Sequence, residues 1–169
     1  MNLEDIESEL ELKTDTEKIV YLVGILKNAK GEDEKTVRDI LNPIVQSKYK
    51  RMVGRRLIFG VESLLKMTQI KPVLEKSLIL NAYEDLISNR PSYFAGKAQI
   101  LYKVTEERPM VDEDTVRSAY EWAIDNERIN DFEILTKITG IAPDEEKMRA
   151  IQDLRDKIEK KLAELRESE

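Results

Sequence analysis

Parts of the segment DEDTVRSAYEWAIDNERINDFEILTKITG, Asp112–Gly140, recur upstream in the same order. Asp112-Glu113-Asp114-Thr115-Val116-Arg117 echoes Asp33-Glu34-Lys35-Thr36-Val37-Arg38, 79 residues earlier. Ala119-Tyr120-Glu121, with Ile124 and Asn126, echoes Ala82-Tyr83-Glu84, with Ile87 and Asn89, at an offset of 37. Ile134–Thr139 echoes Ile100–Thr105 at 34, and Leu64–Thr68 lies a further 37 back. Offsets near the length of a helix pair, or twice that, predict two-helix units that stack, because one such unit cannot bury its apolar face alone. The expected fold is therefore an all-α superhelix, or solenoid, of about three helix-hairpin units. These span residues 33–68, 72–107 and 112–140, with an N-terminal packing helix before them and a capping helix, 143–167, after them.

Local signals place the elements. Residues 1–14 are an acidic arm or short helix, with Leu3, Ile6 and Leu10 at helical spacing. Thr14 to Glu17 has capping-box spacing, and Ile19 to Leu26 form an apolar stripe that Gly31 is expected to close. From Asp33 the apolar pattern runs through Pro43 to Leu65, which leaves open one kinked helix or two. Pro72 suits the first turn of a helix ending near Ser88, with Asn89 and Pro91 as stop signals. The next helix is expected over about 92–107, with Pro109 ending it. Asn130 has the character of a helix N-cap, with Ile129 and Ile134 as its hydrophobic staple, and Gly140 fits the closing position. No segment alternates with period two. As a single domain, residues 15–169 are long enough to bury a core without disulfide or metal.

The chain contains no histidine and no cysteine. This removes the commonest general base and the usual zinc ligands, and with them the Ser-His and Cys-His nucleophile pairs. Phosphate-binding glycine loops are also missing, and paired acids fall at helix ends, where capping and the helix dipole account for them. No catalytic, metal or cofactor residues are assigned. The N-terminus is acidic, without an export signal, and no apolar run is long enough to span a bilayer, so a cytoplasmic protein with no membrane partner is expected. A charged fraction of 37%, rich in Glu and Lys, has the bias of hyperthermophile proteins and predicts a thermophilic source.

Two surfaces are candidates for binding. Lys48, Lys50, Arg51, Arg55 and Arg56 lie in a window, Ile40–Val61, that holds no acid, and Lys48, Arg51 and Arg55 share one helix side. Such a stripe suits phosphate, nucleic acid, an acidic peptide or the chain's own acidic start, although a solvated basic face has the same appearance. The second surface is aromatic. Trp122 departs from the stripe set by Val116, Ala119, Tyr120 and Ala123 and is predicted partly exposed; Tyr93 is grouped with it as a protein contact. The stripe Ile151, Leu154, Ile158, Leu162 and Leu165 fits a capping helix, with a homodimer seam as the alternative. Repeat pattern and missing catalytic groups point to a non-catalytic protein–protein interaction module, a scaffold or adaptor. The alternative is a nucleic-acid or phosphate-binding helical protein using the basic stripe.

Overall fold

The computed structural model describes residues 3–90 and 93–167, the side chains of residues 3, 4 and 167 excepted. Among the described residues there are nine α-helices and no strand. The chain is all-α. It divides into two compact units, residues 1–78 and 79–169.

In the first unit, α1 (Leu3–Glu11) is a short amphipathic helix that buries Ile6 and Leu10. The helix α2 (Asp15–Leu26) opens with the expected capping box. The Glu17 backbone N–H donates to Thr14 Oγ1, and the Thr14 N–H donates to the Glu17 carboxylate. It ends at Lys27 rather than Gly31, which instead sits at φ 60° as the N-cap of α3 (Glu32–Gly54). The continuous apolar pattern resolves into two helices, α3 and α4 (Ile58–Thr68). Pro43 does not break α3. It removes one backbone donor on an exposed side, while Leu41, Val45, Tyr49 and Val53, all fully buried, hold the opposite face. The turn comes instead after Gly54, where Arg56 adopts φ 59° and the Leu57 N–H reaches back to the Met52 carbonyl. In this unit α2 packs on α3 and α4, and α3 packs on α4.

Helix α5 (Lys76–Asn89) starts four residues after Pro72, the expected first-turn proline. The cause is Gln46 of α3. Its Nε2 donates to the Lys71 carbonyl (2.9 Å) and its Oε1 accepts the Val73 N–H (2.7 Å), holding residues 71–73 non-helical. In the second unit follow α6 (Phe94–Thr105), α7 (Glu113–Asp125), α8 (Ile129–Thr139) and α9 (Glu145–Glu167). Pro91 and Ser92, expected to stop one helix and start the next, lie outside the described residues, as does the Leu3 side chain. Asn130 is not the cap of α8. The helix begins one residue before it, with Arg128 as N-cap, because the Arg128 N–H is already committed to the Ala123 carbonyl across the turn. Gly140 closes α8 as expected, at φ 70°. Helix α7 packs on α8 and α9, α8 packs on α6 and α9, and a core of Ile87, Phe94, Val116, Tyr120, Phe132, Leu135 and Ile151 joins them.

The same local arrangement occurs at three places. Tyr49, Tyr83 and Tyr120 are fully buried, yet each phenol donates to a carbonyl just past the end of the following helix. Tyr49 donates to Ile70 O (2.8 Å), Tyr83 to Glu107 O (2.8 Å) and Tyr120 to Ile141 O (2.7 Å). Two residues before each acceptor stands a threonine, Thr68, Thr105 or Thr139. Its hydroxyl donates to the carbonyl four residues back and accepts the N–H two residues on. Between threonine and acceptor lies a left-handed residue: Gln69, Glu106 or Gly140. A second left-handed residue, Arg56, Arg90 or Glu127, comes seven positions after each tyrosine. Ring burial supplies apolar area and the bond keeps the hydroxyl satisfied, so each tyrosine fixes where the chain leaves one helix relative to its predecessor.

Candidate functional site

The five basic residues between Lys48 and Arg56, at and just past the end of α3, do not all converge on one place. Lys48, Arg51 and Arg55 share one shallow concavity of about 160 Å³ with Met52 and Leu57. Lys50 turns elsewhere and pairs with Glu75 at 2.8 Å. Arg56 folds over the end of its own helix, with Nη1 donating to the carbonyls of Val53 (3.1 Å) and Gly54 (3.3 Å). Two members of the shared group meet the start of α2: Arg51 pairs with Asp15, and Lys48 donates to Thr16 Oγ1. The acidic N-terminal segment thus reaches the stripe through Asp15. These pairs are solvent-exposed, so each contributes less than about 1 kcal/mol and weakens with salt.

Trp122 is partly buried, as its departure from the apolar stripe predicts. Its ring meets Phe94 edge-on, with centroids 5.4 Å apart and planes at 80°. Counting from the tyrosines, Trp122 is two residues past Tyr120, the position that Arg51 holds after Tyr49. Tyr93 is 65% exposed and takes a left-handed conformation at the N-cap of α6. It stands at an open concavity of about 600 Å³ that Glu127, Arg128, Ile129, Asp131 and Ile158 also line.

Sequence reading missed Asp131, which lies in this concavity and is only 5% exposed. Its Oδ2 lies 3.0 Å from Arg128 Nη2, yet accepts no directed hydrogen bond. Burial pushes the carboxyl above its ordinary value, against the opposing pull of the Arg128 charge. As the third residue of α8, an acid there looks like an ordinary helix start, and nothing in the local sequence marks it as buried. Nearby Glu127 is exposed and tied to Lys157 at 3.0 Å, which holds its carboxyl below the usual range.

On α9, Ile151 and Leu154 are buried against the core and Ile158 packs on it, while Leu162 (50%) and Leu165 (63%) are exposed. Among the described residues no helix is long and apolar enough to cross a membrane, and no cluster of three potential metal ligands occurs. No family model, curated protein or solved structure matches the chain.

Proposed function

We propose that the chain is a non-catalytic helical-repeat module of the α-solenoid kind, a cytoplasmic scaffold or adaptor that binds a protein or peptide. The observation that carries this reading is the threefold tyrosine–carbonyl bond. Tyr49, Tyr83 and Tyr120 stand 34 and 37 residues apart, each tying a helix to the exit of the next. Repetition of one helix-pair design serves surface rather than chemistry, and the absence of histidine and cysteine fits it. Helix α9 suits the terminal cap, with its first half on the core and its outer faces charged. The contact residues are Tyr93 and Trp122, an exposed and a half-buried aromatic of the kind that anchors interfaces.

The test is affinity capture with the native chain and a Tyr93→Asp variant of unchanged far-UV circular dichroism. A protein retained through high salt and nuclease by the native chain, and lost with the variant, is the expected result. Retention that ignores position 93, or catalytic turnover by the purified chain, contradicts the reading.

The shared concavity of Lys48, Arg51 and Arg55 favours one second reading, a phosphate or nucleic-acid site in which Asp15 competes for Arg51 in the free chain. Binding of this kind falls steeply with salt and is lost in an Arg51→Glu, Arg55→Glu double variant. Binding that is indifferent to salt rejects it.

A further inference from the structure

Asp131 Oδ2 is the one buried side-chain polar atom among the described residues without a hydrogen-bond partner. A carboxylate oxygen withdrawn from water and left without a directed donor costs free energy that an ion pair alone recovers only in part. The nearest cation, Arg128, is at ion-pair distance but not in hydrogen-bonding geometry, and its side chain is 40% exposed. It covers the acid without satisfying it. Around this pair the concavity offers what a long cationic side chain needs. Ile129 and Ile158 form an aliphatic wall for its stem, and Tyr93, 65% exposed, stands at the same concavity.

We infer that this concavity is the receptor for an arginine side chain of the bound partner, with Asp131 as counter-charge and Arg128 as the internal cation that the incoming guanidinium displaces. The inference rests on the protein-binding reading and specifies its chemistry. A partner's planar guanidinium brings two parallel N–H donors to a carboxylate that now receives none on Oδ2. Displaced Arg128 moves into solvent, where it is already partly placed. The upward push on the Asp131 carboxyl has the same origin, a buried charge lacking full compensation.

The probe is Nα-acetyl-arginine amide, titrated into the full chain and followed by ¹H–¹⁵N spectra, with the citrulline analogue as an uncharged control of the same shape. Saturable shifts are expected at the amides of Tyr93 and residues 129–132, with citrulline at least tenfold weaker. Asp131→Asn is expected to weaken the arginine probe at least tenfold. Arg128→Ala is expected to tighten it several-fold, because the internal competitor is gone. Tyr93→Ala, an exposed position, is expected to weaken it about threefold and serves should Asp131→Asn fail to fold. Equal binding of citrulline, non-saturating shifts spread over exposed acids, or weaker binding in Arg128→Ala overturns the inference. If the probe saturates the site while no protein is captured through Tyr93, the cation receptor stands and the scaffold reading fails; the converse result separates them the other way.

Discussion

Replacing Tyr120 by phenylalanine removes one oxygen and leaves a fully buried ring in place, against Phe132 with centroids 4.8 Å apart. The loss is the hydrogen bond to the Ile141 carbonyl, 2.7 Å long and partly buried. A net hydrogen bond contributes about 0.5–1.5 kcal/mol, and a buried acceptor left without its donor costs about 1–3 kcal/mol. Because Ile141 is only partly buried, water recovers some of this, and the expected destabilisation is about 1–2 kcal/mol. For a chain of this length that lowers the melting temperature by about 2–8 °C. Urea unfolding followed by fluorescence of Trp122, the single tryptophan, reports directly on the unit containing Tyr120. The midpoint should fall with the slope unchanged. Tyr102→Phe, at a half-buried position, is the control and should shift stability by less than about 0.5 kcal/mol. A Tyr120→Phe variant no less stable than the control refutes the idea that the phenol holds the helix exit.

Burial raises the Tyr49 and Tyr83 phenols above their ordinary value, Tyr83 the more strongly. Above about pH 10 the unfolded chain therefore releases two phenolic protons that the folded chain keeps, and stability should fall as pH rises through that range, with the tyrosinate absorbance of Tyr49 and Tyr83 appearing only on unfolding and lost from the difference spectrum in a Tyr49→Phe, Tyr83→Phe variant. For Asp131 the folded carboxyl is likewise raised, so its unfavourable contribution develops as pH rises from about 4. The stability of Asp131→Asn relative to the native chain should therefore climb as pH rises above the ordinary carboxyl range, measured as the difference in urea midpoints; Arg128, Glu127 and Lys157 are the charges near it. Gly140→Ala should cost about 1 kcal/mol or more, because φ is 70° and the added methyl would lie 3.2 Å from Arg108 Nη1; thermal unfolding measures it.

Helix ends were legible in the sequence at Thr14–Glu17 and Gly140, where a cap residue meets an apolar stripe, but not at Gly31 or Asn130, whose cap character the turn geometry overrides. Two of the three echoes also carried both ends of the tyrosine–threonine arrangement without revealing the bond. Tyr49 escaped the match because Lys48 stands where Ala82 and Ala119 precede the other tyrosines. The Asp33 echo of Asp112 is a likeness of helix starts only. Tyr49 and Tyr120 are 71 residues apart, not 79, because Tyr49 comes 16 residues after Asp33 in the longer helix and Tyr120 only 8 after Asp112. What sequence could not show were long-range contacts. Gln46 delays α5 by binding residues 71 and 73, and Asp131 becomes buried through tertiary packing that its helix-start position conceals.

If the aromatic surface at Tyr93 receives a protein, a photoreactive phenylalanine analogue at position 93 will capture that protein on irradiation in cell extract, with the same analogue at exposed Leu12 as control. A discrete protein adduct at 93, absent at 12 and competed by Nα-acetyl-arginine amide, is the predicted result. Adducts to nucleic acid, or the same adducts from both positions, would contradict it.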